Sequence, residues 1–161
     1  MISHDLKCIY IHIPKTAGTS VESIFGEHKN SLVRLKQDHR SIMNLKNTIV
    51  PWQKSNYSIF DWLKFLNQRY KTLSDGVPSI THNQFNEYFK VAFVRNPWDR
   101  AYSWYRNVLR DELHLKELNI KPGISFQEFL ENHIEQWALR PQLDWLVDEN
   151  GDLAVDFVGR F

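Results

Sequence analysis

One cysteine, Cys8, is all the thiol chemistry in this 161-residue chain, so no disulfide can close within it. No stretch approaches the roughly 18 consecutive apolar residues that a membrane-spanning helix needs. The opening residues, Met1-Ile2-Ser3-His4-Asp5-Leu6-Lys7, lack a signal peptide's basic-then-apolar order. These absences give the expectation of a protein working in a reducing cytoplasm, with Cys8 a buried, inert thiol. H-E-x-x-H, paired C-x-x-C and clustered acidic loops are missing too, so no metal site is expected. So are G-x-x-x-x-G-K-[ST] and G-x-G-x-x-G, which removes the commonest mononucleotide and dinucleotide cradles. There are no repeats and no low-complexity tracts, and with a net charge of only +1 no nucleic-acid partner is expected.

What is present is a globular composition, 42% hydrophobic, 14% aromatic and 24% charged. The length suits one domain spanning residues 1–161. Charge is uneven: residues 1–71 hold 11 Lys/Arg against 5 Asp/Glu, whereas residues 72–161 hold 9 against 14. The basic half can attract an anion, or can simply be a solvated surface.

Residues 8–13 form a short apolar run that reads as a buried strand. It ends at Pro14, and Thr19 or Ser20 can cap a helix beyond it, through Val21, Ile24 and Phe25. Ser58 and Asp61 form a capping pair for a helix over 59–70. The aromatics of the segment 47–84 (Trp52, Tyr57, Phe60, Trp62, Phe65 and Tyr70) read more readily as extra core than as a lid over an acceptor. Residues 90–95 read as a second buried strand ended by Asn96-Pro97. A helix then carries Trp98, Ala101, Tyr102, Tyr105, Val108 and Leu109 on its apolar face. Ser125 with Glu128 predicts a capping box, and residues 143–147 and 153–158 predict a hairpin around Glu149-Asn150-Gly151-Asp152. Two strand-then-helix units imply an α/β domain with a partly parallel sheet.

Pro14-Lys15-Thr16-Ala17-Gly18-Thr19-Ser20 places a cation, three hydroxyls and a glycine between a strand and a helix N-terminus, where main-chain N–H groups gather for an anion. Lys15 precedes Gly18, so this is not a Walker A loop. In Arg95-Asn96-Pro97-Trp98-Asp99-Arg100-Ala101-Tyr102-Ser103, Arg95 closes a strand and Ser103 lies two turns into the next helix. A guanidinium fork and a hydroxyl so placed can share one phosphate. Arg100 is the weaker candidate, since pairing or turn-capping explains it equally.

Together these motifs resemble the carbohydrate sulfotransferases that use 3′-phosphoadenosine 5′-phosphosulfate (PAPS), the heparan and chondroitin sulfotransferases and their bacterial members. HIPKTAGTS is similar to their 5′-phosphosulfate loop and FVRNPWDRAYSWY to their 3′-phosphate motif. Gln142-Leu143-Asp144-Trp145-Leu146 and the stretch from Val155 to Phe161 are similar to parts of the bacterial members, which continue for several more helices. The resemblance implies a P-loop-like three-layer α/β fold, a carbohydrate hydroxyl acceptor, and adenosine 3′,5′-bisphosphate (PAP) as by-product. It also implies Lys15 at the bridging oxygen, Thr16, Ala17, Gly18, Thr19 and Ser20 around the 5′-phosphosulfate, and Arg95 with Ser103 on the 3′-phosphate. For the general base it points to His39, with Asp38 or another acid orienting the ring; His82, His12 and Glu22 remain alternatives. Rival readings are a domain that binds nucleotide without turnover and a P-loop-type phosphotransferase.

Overall fold

The computed structural model describes residues 1–24, 38–49, 58–75 and 79–161, with only the backbone of residues 22, 23 and 71–75. Its centre is a four-stranded sheet in the order β1-β2-β3-β4: Ile2–Ser3, Cys8–Ile11, Phe89–Val94 and Phe157–Arg160. β1 pairs antiparallel with β2, while β2, β3 and β4 run parallel, with Ile11 opposite Ala92 and Val94 opposite Arg160. The apolar run in β2 is buried because parallel strands are covered on their faces. Ile9 and Ile11 are fully buried, and Ile42, Leu45, Ala92 and Trp145 join them in one core cluster.

The helices are α1 (Gly18–Ile24), α2 (Ile42–Lys46), α3 (Ile59–Asp75), α4 (His82–Glu87), α5 (Pro97–Arg110), α6 (Glu112–Glu117) and α7 (Phe126–His133). α5 starts where Asn96 accepts hydrogen bonds from the N–H groups of Trp98 (2.9 Å) and Asp99 (3.4 Å), with Pro97 at the first position. α7 starts on the predicted capping box, Ser125 and Glu128 each accepting from the other's N–H. A second core cluster joins Trp104 and Val108 of α5 to Ile120, Phe129 of α7 and Ala138.

Several expectations change. α1 begins at Gly18, so Thr19 and Ser20 lie in its first turn rather than capping it; the loop turns early because Lys15 and Ala17 take φ of 67° and 66°. Phe25, Trp52 and Tyr57 lie outside the described residues. On α5 the buried residues are Arg100, Ala101, Trp104 and Val108, a stripe rotated from the predicted one, because the helix packs Trp104 and Val108 against α7. Trp98 and Tyr102 face solvent. The hairpin expected over 143–158 is reduced to a short antiparallel turn about Glu149-Asn150-Gly151-Asp152, with Asp148 N donating to Asp152 O and Ala154 N to Leu146 O, each at 2.9 Å. Residues 142–145 make a 3-10 turn, only Val147 and Leu153 bridge, and β4 starts later and pairs with β3 instead.

The extra-core reading of α3 also fails for most of its described residues. Phe60 is 70% exposed and Tyr70 77%, with Ile59, Leu63 and Leu66 exposed beside them; Phe65 is buried and stacks on Trp62 at 5.4 Å. Cys8 is half-buried, its thiol pushed up by burial.

Candidate active site

Parallel strands deliver their following loops to one edge of the sheet. β2 and β3 therefore bring residues 12–18 and Arg95 together, the edge where open α/β sheets collect ligands. Left-handed backbone at two non-glycine residues of the loop costs on the order of 1 kcal/mol each, and three contacts hold it. Thr16, fully buried, donates its hydroxyl to Ile13 O at 2.9 Å. Arg100 Nε donates to Pro14 O at 3.2 Å. Arg95 Nη1 reaches Lys15 O at 3.4 Å.

Arg100 is the larger surprise. Its buried guanidinium also donates to the carbonyls of Ala138 and Arg140, tying the loop to the 3-10 turn Trp137–Leu139. Burial, then the charge of Arg140, lowers it to about 10. It is thus a structural donor to three carbonyls: of the two expected roles it takes turn-capping, at the 3-10 turn, rather than pairing with Asp99.

Arg95 is held at both its main chain and its guanidinium. Gln142 replaces the strand partner that β3 has lost, accepting from Arg95 N at 2.9 Å and donating to Arg95 O at 2.8 Å. The Phe161 ring lies beneath the guanidinium at 5.2 Å. Ser103 sits half-buried on α5, two turns beyond. Lys15 is half-buried, and its Nζ donates to Asn107 Oδ1 at 3.1 Å. Burial lowers its pKa, and Arg110 and then Arg95 lower it further. Thr19 and Ser20 are exposed.

Gly18 is required for a reason the sequence hides. A Cβ there would meet Nε2, Cε1 and Cδ2 of His12, all well inside 3.0 Å. The His12 ring, 3% exposed, lies directly over Gly18 and stacks on Tyr10 at 5.7 Å. Burial, then His39 and the N-terminal ammonium, push its pKa down to about 3, so the ring is neutral.

His39 stands against His12, ring centroids 4.2 Å apart, with Trp137 at 5.6 Å and Trp145 at 6.5 Å. Its Nδ1 lies 3.0 Å from His12 O. A carbonyl only accepts, so Nδ1 carries the proton and Nε2 keeps the basic lone pair. Asp38 does not orient the ring. It is buried and accepts from Arg40 Nε at 2.8 Å and Nη2 at 2.7 Å, with the Met1 ammonium at 3.4 Å. Burial pushes the Asp38 carboxyl up, but Arg40 and the ammonium outweigh it and hold it well below the usual carboxylate range.

The other candidate bases separate. His82 begins α4, which leads into the opening end of β3, whereas the loop sits at the closing end of β2; its Nε2 lies 3.0 Å from Asn86 Nδ2. Glu22 lies in α1, its side chain outside the described residues. No group of three or more His, Cys, Asp or Glu suited to a metal ion occurs among the described residues.

The edge therefore gathers a lysine, an arginine, exposed hydroxyls and a histidine with a defined basic nitrogen, the equipment for handling an anion next to a hydroxyl. A family model described as the sulfotransferase family matches residues 1–150. The chain belongs to the sulfotransferase family. The mixed α/β fold and the mostly parallel sheet agree with such a domain. A transferase acting on a hydroxyl-bearing acceptor follows from family membership. No curated protein and no solved structure matches the chain. No helix among the described residues is long and apolar enough to cross a membrane.

Asn107, Gln142 and the Trp137–Trp145 wall were not singled out as site residues from sequence. Gln142 and Trp145 stand in a stretch whose resemblance to bacterial members marked it; Asn107, four residues after Ser103 on α5, was legible only as the next turn of that face.

Proposed function

We propose that this sulfotransferase takes its sulfuryl group from PAPS and passes it to a carbohydrate hydroxyl, within a P-loop-like three-layer domain working in the cytoplasm. The observation that carries the reading is the meeting of Lys15 and Arg95 at one edge of the sheet, joined through Lys15 O at 3.4 Å, in a chain of this family. The donor's two anionic ends call for two separate cationic holds, and Lys15 and Arg95 are cations supported by different strands. When bound, PAPS supplies an activated sulfuryl group and PAP as leaving group.

The chain's own residues then divide the work. Thr16, Ala17, Gly18, Thr19 and Ser20 form the 5′-side cradle, Thr16 by fixing the turn and Thr19 and Ser20 with exposed hydroxyls. Arg95 and Ser103 hold the 3′-phosphate. Lys15 Nζ stabilises charge growing on the leaving oxygen. His39 Nε2 takes the acceptor's proton, while His12 O keeps the ring in the matching tautomer. Trp137, half-exposed beside His39, offers an aromatic ring against which a sugar can pack. The phosphotransferase alternative is not favoured by the family match.

Calorimetry with adenosine 3′,5′-bisphosphate against ATP tests the donor, and equal or tighter ATP binding would overturn the reading. With labelled PAPS and a panel of sugars, Lys15→Ala and His39→Ala should both lose transfer, the His39 variant keeping nucleotide affinity. Full activity without His39 would remove it as base.

A further inference from the structure

The Lys15 ammonium is surrounded by unfavourable neighbours. It is half-buried, Arg95 approaches from the end of β3 and Arg110 from the last turn of α5, and the neutral His12 ring belongs to the same strand-end. Each of the first three disfavours a proton on Nζ. Among the described residues, one group opposes them. Asn107 presents Oδ1 to Nζ at 3.1 Å; an ammonium only donates, so the amide oxygen is the partner. Asn107 stands four residues after Ser103 and three before Arg110, on the α5 face that borders the loop. Lys15 itself leaves the backbone at φ 67°, a conformation that aims its side chain across to α5 instead of along the helix that follows.

We propose that Asn107 is a positioning residue for Lys15, its amide oxygen fixing where the ammonium points and favouring its charged form without adding an anion to an anion-binding site. A carboxylate here would hold the lysine more strongly but repel the donor; an apolar residue would leave Nζ to the two arginines. The inference rests on the reading of Lys15 as the group that stabilises the leaving oxygen, yet its central test needs no nucleotide.

In the ligand-free protein, the pH dependence of Lys15 acylation by an amine-specific reagent, read by peptide mass spectrometry, reports its titration directly. Asn107→Leu should lower the midpoint by about one pH unit, a tenfold rise in the reactive fraction, and Asn107→Asp should raise it by a similar amount. A merely structural role would shift both variants the same way or neither. If Asn107→Leu fails to fold, Asn107→Ser withdraws the acceptor without apolar bulk and carries the downward arm. Unchanged midpoints, or shifts of one sign, overturn the proposal. In transfer assays Asn107→Leu should lower kcat roughly tenfold with a smaller change in donor KM and move the alkaline limb to lower pH. Opposed midpoint shifts in a protein that transfers nothing from PAPS would leave the positioning role standing and sink the donor assignment instead.

Discussion

Replacing Gly18 by alanine adds one methyl group to a place where there is none to spare. The new Cβ would fall on three atoms of the His12 imidazole, all inside the 3.0 Å that real Cβ contacts almost never breach. The ring cannot swing aside cheaply, because it is 3% exposed, packed on Tyr10 at 5.7 Å and on His39 at 4.2 Å. Overpacking of this kind costs about 1–3 kcal/mol, and a ring walled on both sides belongs at the upper end. For a chain of this size that lowers Tm by roughly 4–10 °C. Removing the ring should relieve the clash, so a double-mutant cycle with His12→Ala isolates it. The expected coupling is about 2 kcal/mol in favour of the pair, read by urea unfolding. A Gly18→Ala cost below about 0.5 kcal/mol, or an equal cost with and without the His12 ring, would refute the account. Gly18 would then be free to serve only the ligand, and the defect would appear in nucleotide affinity.

Two further outcomes follow from buried charge. Arg100→Met should cost about 3–5 kcal/mol, since the carbonyls of Pro14, Ala138 and Arg140 lose their shared donor. Arg100→Lys should restore little of that, because one ammonium cannot reproduce the fork; near-native urea midpoints for either would contradict the role. His12 is held neutral with a pKa near 3 against an ordinary 6.5, so below pH 6.5 the unfolded chain binds a proton the folded one refuses. Its contribution is intact above pH 6.5 and is lost as pH falls towards 3, at up to about 1.4 kcal/mol per pH unit. His12→Gln should flatten that limb above about pH 5, where Asp38 is still ionised in the folded and the unfolded chain alike; an unchanged slope would show the ring is not the cause.

The strand-loop-helix units, the capping boxes and the arginine at the end of β3 were legible because each is written within a few adjacent residues. The hairpin over 143–158 was read as too long: its turn forms with one antiparallel bridge, but the competing partner that takes residues 157–160, β3, lies more than sixty residues away. For Arg100 the sequence left pairing and turn-capping open, because nothing nearby in sequence shows the three carbonyls that converge on it. The same limit hid the His12–Gly18 contact: a small residue after a lysine loop suggests a ligand's approach, and the side chain actually filling the space comes from the preceding strand. His39 could be chosen from the resemblance, but not the carbonyl that sets its tautomer, which only folding brings beside it.

The ring beneath Arg95 has a geometric consequence. Phe161 lies 5.2 Å below the guanidinium, and a cation–π contact engages a face of that planar group, whereas hydrogen bonds leave through its edge. The two do not compete. Phenylalanine at this place can therefore attract the Arg95 cation without putting an anion beside it. Gln142, gripping the main chain of the same residue, fixes the pivot from which the side chain extends. In the proposed reading, an oxyanion arriving at the sheet edge would meet an arginine whose main chain is already held, so less conformational entropy would be left to lose on capture.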